Sequence, residues 1–469
     1  MDEAVETALG ALLGELGLDG GASGGAVVIE GEEQTDISPH RIGTASALAL
    51  AANAAGVAAW WRLQTGRGQD VRVEMARATQ ALHVHAHTRQ QGRRLASPRG
   101  TTQSFWRTAD DRWLHLVTGS ARRHQLERTL DALGAPSLAK VAGPIREGKA
   151  AELEEAVYAA GAVAAMVRTP EEWRAHPQGQ FLATRPVVEI ERIGDAPAEA
   201  PRPGDRPLSG VRVLDLTHII AGPMISRTMA EQGADVLHVT PPNHWDPPHF
   251  VIDLGVGKRS ATADVGLPAD VARLHELAGD ADVYVQSYRP GSLAGKGFAP
   301  AELAELRPGI VVVTVSCFGE AGGPWGQRRG VDPIAQAVSG IAHTEGLPGD
   351  QPAMNQAQTL NDPLVGYLGA AGAMAGLMAR ARDGGSYHVR LSLVRCGMWL
   401  QDLGLVEWQR RPLPDQRFEH LVTPAMVTLP GPYGVIDYLA PPVAYAETPP
   451  RWALPAEPLG ASPLTWATA

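Results

Sequence analysis

PLSGVRVLDLTHIIAGPMISRTMAEQGADVLHV, residues 207–239, reads as strand, glycine-containing loop, helix, strand. Val211, Val213 and Leu214 make an apolar strand. Ala221-Gly222-Pro223 turns tightly and frees backbone N–H groups at a helix start. Met224 to Gln232 suits the helix, Gly233 ends it, and Ala234 to Val239 is a second buried strand. An open α/β nucleotide-binding domain begins in this way. Here it begins near the middle of 469 residues, so some two hundred residues before it need an explanation.

The length suffices for two or three domains with substantial cores. A net charge of −10 argues against general nucleic-acid binding, while leaving room for a local basic pocket. The two cysteines, Cys317 and Cys396, sit in apolar runs and read as reduced core residues, which fits a cytoplasmic protein. The acidic, amphipathic start MDEAVETALGALLGEL lacks the basic leader of a signal peptide. No apolar run of about 18 residues suggests a membrane span.

Outward from the opening stretch, residues 207–410 alternate strands and helices, with strands expected at 211–216, 235–239, 282–286 and 310–316. That pattern predicts a doubly wound, Rossmann-like parallel sheet. Residues 196–206 form a proline-rich linker. Before it, 1–40 is an N-terminal extension, and 41–104 is a helix-strand-helix segment of large-domain type. Residues 105–195 form a smaller α+β domain, with a hairpin turning at Ala109-Asp110-Asp111, a helix capped by Thr169 with Pro170 and Glu172, and a strand over 185–193. Residues 411–469, proline-rich and aperiodic, are expected to wrap over another domain. An internal echo links TGRGQDVRVEMARATQAL (65–82) to RDGGSYHVRLSLVRCGMWL (382–400); Val71 falls on Val389 and Thr44 on Asp362.

Read locally, Asp362 in TLNDPLVG is a helix N-cap beside Asn361. His83, His85 and His87 alternate on a stretch expected to be helical, where only His83 and His87 share a face, and no metal is expected. No P-loop, zinc spacing or Ser-His-Asp signature occurs. The turn near Gly222 is not a GxGxxG, which disfavours a nicotinamide enzyme.

The opening stretch, with GKRSATADV (257–265), ADVYVQSYRPGSLAGKGF (281–298), residues 307–340 and TLNDPLVGYLGAAGAMAGLMARARDGGSYHVRLSL (359–393), resembles the family III CoA-transferases. These are the CaiB/BaiF family, with formyl-CoA and carnitine CoA-transferases; α-methylacyl-CoA racemase shares the fold. Residues 41–195 resemble the family's later half, so the segment order looks rearranged or partly duplicated. The resemblance implies a large Rossmann-like domain with a smaller one, and a CoA-transferase that moves CoA from an acyl-CoA thioester to a small carboxylic acid. It further implies a homodimer, interlocked in other family members, and the charge and hydropathy of the chain point to neither nucleic acid nor membrane as a partner.

By the same resemblance Asp362 is the nucleophile and passes through an aspartyl-CoA thioester. Ile220 and Ala221, Lys258 and Arg259 of the KRS motif, Asp264, Ser287, Tyr288, Arg289 and Arg329 are the residues expected at the CoA site. The family's basic residue after the second strand is replaced by Thr240-Pro241-Pro242, and another after the RPG turn by Gly295. These departures keep a non-catalytic CoA-binding paralogue open as an alternative. An acyl-CoA racemase or isomerase is the other, although Val331 stands where racemases carry a proton-transferring histidine.

Overall fold

A computed structural model describes residues 2–467 apart from 20, 96–103, 118–122, 321, 348, 350, 358 and 409–417. Its centre is a seven-stranded sheet: β1 (Glu189–Gly194), β2 (Arg212–Leu216), β3 (Asp235–Thr240), β4 (Arg259–Thr262), β5 (Val283–Gln286), β6 (Val311–Ser316) and β7 (Ser386–Ser392). The spatial order is β4-β3-β2-β5-β6-β7-β1, and only β1 runs antiparallel. The chain therefore walks outward from β2 on one side, returns, and walks outward from β5 on the other. The direction reverses between β2 and β5, where an open α/β sheet leaves a crevice at its carboxyl edge.

Alternation explains the layers. Val213, Val236, Val283, Val285, Val311 and Val313 face one core, and Leu214, Leu216, Leu237, Val239, Tyr284 and Val312 face the other. Strands buried on both faces read as continuous β-branched runs, as VVVTV does in β6.

The echo has a structural counterpart. Strands Val27–Glu30 and Val71–Glu74 pair in parallel around helix Ile42–Thr65, as β6 and β7 pair around helix Asn361–Asp383. Each pair gains one antiparallel strand from the other half of the chain. Val443–Tyr445 joins Val71–Glu74, and β1 joins β7. The two long helices pack on each other, and the offset that sets Val389 on Val71 sets Met374 on Gly56. These two residues meet: a Cβ on Gly56 would lie 2.8 Å from that of Met374. Contact between a position and its own counterpart marks a local twofold relation.

Both long helices are apolar enough to cross a membrane, which departs from the sequence expectation that no such stretch exists. All of the apolar window in the first and 83% of that in the second is buried inside the protein. Small residues account for this. Gly366 and Gly369 lie against Met224 and Ile225 of helix Ala221–Ala230, and Gly372 lies against Val389 of β7, leaving no room for side chains at these contacts.

The strand expected over 185–193 is β1, and it extends the large sheet instead of staying with the small unit. That unit has its own core around strands Ser104–Arg107, Trp113–Leu116 and Ala164–Met166. Its hairpin turns at the expected residues, with Asp111 at φ +58°, and Thr169 and Glu172 form the expected capping box. The histidine stretch is a 3₁₀ helix, Ala81–Ala86, kinked at His83 instead of a regular α-helix. The tail is less aperiodic than its prolines suggest. Met426–Gly431 and Gly434–Leu439 form a hairpin, and residues beyond it bond to the large domain at Ser260 and Leu277.

Candidate active site

Asp332 opens helix Asp332–Ser339, and Asp362 is the second residue of Asn361–Asp383. Asp332 Oδ2 accepts the N–H groups of Asn361 and Asp362, the latter at 3.0 Å. These are two of the unsatisfied donors that open a helix, so a carboxylate is a natural partner. Asp362 is brought alongside, 7% exposed. Burial, and then the Asp332 charge, push the Asp362 carboxyl well above the ordinary carboxylate range. Burial lifts Asp332 to about 7, against hydrogen bonds from Gln336, Asp362 and Asn361 that favour its ionised form. Burial is also the main cause that raises the Cys317 and Cys396 thiols, with smaller contributions from both carboxylates. Both cysteines are free and buried.

The matching helix start in the first half is built alike. Glu33 accepts the N–H groups of Gly43 at 3.0 Å and Thr44 at 2.6 Å. Thr44 stands where Asp362 stands, so this end has the capping carboxylate without a second one.

One turn beyond Asp362, Gly366 packs on Met224 of helix Ala221–Ala230, whose N-cap is Ile220. Ile220 and Ala221 thus close the crevice after β2. The preceding Ile219 has φ +70°, a strained conformation for a β-branched residue, and Asp246 Oδ2 holds its N–H at 3.1 Å. Across the crevice, after β5, Tyr288 lies with its ring 5.6 Å from that of His218, and Ser287 adjoins it. Arg289 is exposed. Burial, followed by the charges of Arg289 and Arg128, lowers the pKa of Arg329, so three guanidinium groups gather here. Arg128 comes from helix Arg123–Ala132 of the small unit, and both Arg128 and Arg329 reach Gly161.

Three expected site residues are used differently. Lys258 is buried, its Nζ 3.1 Å from Asp215 Oδ2 and 2.7 Å from the Pro223 carbonyl, which it donates to. It fastens the crevice loop from behind instead of facing a phosphate. Arg259 opens β4, pairs with Asp235 at 2.9 Å and donates to the Thr465 carbonyl, which places it at the strand's amino end. Asp264 follows β4 and accepts the Gly266 N–H at 2.8 Å, shaping a turn at the edge of the sheet. Sequence reasoning missed Arg128, Gln336 and Asp246; none of them lies in a local motif.

The description "CoA-transferase family III" matches residues 15–202 and again 208–458. The chain belongs to this family. It is 35% identical over 280 residues to an acyl-CoA transferase of Gibberella moniliformis, covering 57% of this chain and 49% of that protein. It is 31% identical over 201 residues to the succinyl-CoA:glutarate CoA-transferase of Mus musculus, covering 40% and 46%. A solved CaiB/BaiF family protein from Brucella suis is 28% identical, with 42% of this chain and 56% of that one covered at a TM-score of 0.40. The chain spans about half the length of these relatives. The double match to one family agrees with the twofold relation between the long helices.

Replacing Lys258 by Met should leave the Asp215 carboxylate buried without its cation and cost roughly 3–5 kcal/mol. Chemical denaturation checks this, and Lys258→Met with Asp215→Leu should recover much of the loss.

Proposed function

We propose that this chain moves CoA from an acyl-CoA thioester to a small carboxylic acid, with Asp362 as the nucleophile. The observation that carries the reading is the buried Asp332–Asp362 pair at the opening of a helix beside the crevice. Asp332 already occupies the first N–H groups of the helix. The Asp362 carboxylate is therefore desolvated and pressed by a like charge, which makes its ionised form reactive.

In the first step an Asp362 oxygen attacks the thioester carbonyl. The C–S bond breaks and CoA leaves as the thiolate, giving a mixed anhydride. The thiolate then attacks the aspartyl carbonyl, expelling the donor acid as its carboxylate and leaving an aspartyl-CoA thioester. The acceptor carboxylate attacks this in turn. CoA thiolate leaves once more and returns to the acceptor's acyl carbon, restoring Asp362. Each step exchanges one leaving group and needs no net proton. Ile220, Ala221, Ser287 and Tyr288 would line the path of the CoA arm, and Arg128, Arg289 and Arg329 would meet its phosphates.

The twofold pairing that the resemblance implies for two chains is, in this reading, folded into one. Light scattering should then give about the chain mass of 49.6 kDa. A mass of twice that value would restore the homodimer.

Incubation with acyl-CoA followed by hydroxylamine should place a hydroxamate on Asp362, seen by mass spectrometry. Full activity in Asp362→Ala with no adduct would sink the mechanism, and α-proton exchange with deuterium without CoA exchange would favour an isomerase. The nucleophile must be ionised and burial holds its carboxyl well above the ordinary range, so the rate should climb as pH rises past that range. Stability should run the other way. A carboxyl whose folded value is raised favours folding below its ordinary value, and that contribution is lost as pH rises through the folded one. Asp362→Asn, which never ionises, should accordingly raise the melting temperature by a few degrees at pH 8 and little near pH 4, while abolishing transfer.

A further inference from the structure

Asp332 is held from its far side by a buried chain of polar groups that ends in the first half of the protein. Gln336 Nε2 donates to Asp332 Oδ1, and Gln336 Oε1 accepts the Asn355 N–H at 3.0 Å. The Asn355 side chain accepts the Ala357 N–H at 2.9 Å and donates through Nδ2 to Glu345 Oε1 at 2.6 Å. The same glutamate oxygen accepts the Ser38 hydroxyl at 2.6 Å and lies 3.1 Å from His40 Nδ1. Ser38, His40, Gln336, Glu345 and Asn355 are all 3% exposed or less.

The chain has a direction. An amide can present either end, whereas a carboxylate oxygen only accepts. Glu345 therefore turns the Asn355 NH₂ toward itself and leaves Asn355 Oδ1 for Ala357. That fixes the backbone of the 355–357 loop, whose Asn355 N–H faces Gln336. Gln336 must then present its oxygen to Asn355 and its NH₂ to Asp332. Reversed, its carbonyl would oppose the Asp332 carboxylate.

We propose that Glu345 is a positioning residue for the reaction at Asp362. Through Asn355 and Gln336 it holds Asp332 on the N–H groups that open the nucleophile's helix, and Ser38 and His40 make the first half a participant in that hold. This rests on Asp362 being the nucleophile. Hydrogen bonds in a buried chain polarise and orient one another, so a change at the glutamate is felt at the aspartate.

The test is Glu345→Gln in the full chain, with Ser38→Ala as a milder variant, following kcat, KM for acyl-CoA, the kcat–pH profile and the melting temperature. Glutamine can offer its NH₂ to Asn355 and release the fixed direction. We expect kcat to fall on the order of tenfold or more, as for other small misplacements near a reacting group, with KM changed less than about twofold. We also expect the acid limb to move to lower pH, because an Asp332 no longer held in place presses less on Asp362. Ser38→Ala should give a smaller change of the same sign. A lower melting temperature with an unchanged kcat and profile would make the network merely structural and overturn the proposal. So would an unchanged profile in Ser38→Ala should Glu345→Gln fail to fold. Asp362→Asn separates the two levels. If it stays fully active, the nucleophile assignment falls and this proposal with it. If it is inactive while Glu345→Gln behaves as wild type, only the role of Glu345 falls.

Discussion

The close crossing of two long helices at Gly56 and Met374 is the constraint on which the rest of the structure depends. Helices Ile42–Thr65 and Asn361–Asp383 can approach this closely only where side-chain volume is small, and both are rich in alanine and glycine. Once they pack, each half's β-α-β unit lies across from the other's. The edge of each parallel pair is then within reach of a strand from the opposite half, and Val443–Tyr445 and β1 take those places. Neither half completes its sheet alone. The core is correspondingly continuous from Leu9 to Ala456.

Much of this was legible in the sequence because it is carried by periodicity. The alternation of β-branched runs with helices gave the doubly wound sheet, and the spacing of glycine turns gave the echo between the halves. What was not legible depends on partners far apart in the chain. Strand 426–431 was obscured by Pro430, a residue that an outer strand tolerates because one side of it needs no donor. The departure of β1 to the large sheet follows from where the helices place the β7 edge, which no local signal reports.

The site divides along the same line. The residues that the resemblance names after strands β2 and β5 lie at the carboxyl edge, which in an open α/β sheet is the functional one. That rule also bears against Arg259, which opens its strand and so belongs to the opposite end. Lys258 was misread for a different reason. A lysine in a motif beside a nucleotide-type loop suggests phosphate, yet Asp215 lies buried on β2, where the Thr217 and Ser226 hydroxyls and this ammonium meet it. Arg128 stands about two hundred residues from Arg329 and is joined to it only by the docking of the small unit.

The two helix starts together separate folding from chemistry. A buried helix N-terminus leaves N–H groups that must be met, and both halves meet them with a carboxylate, Glu33 in one and Asp332 in the other. They reach it from different loop lengths, so the cap is a requirement of burial and says nothing about reaction. The second carboxyl is another matter. Placing Asp362 beside Asp332 in a buried setting opposes ionisation of both, and Thr44 shows that the same fold closes without it. A feature that costs stability at one of two equivalent positions, and is absent from the other, is better explained by what it does than by what it holds together.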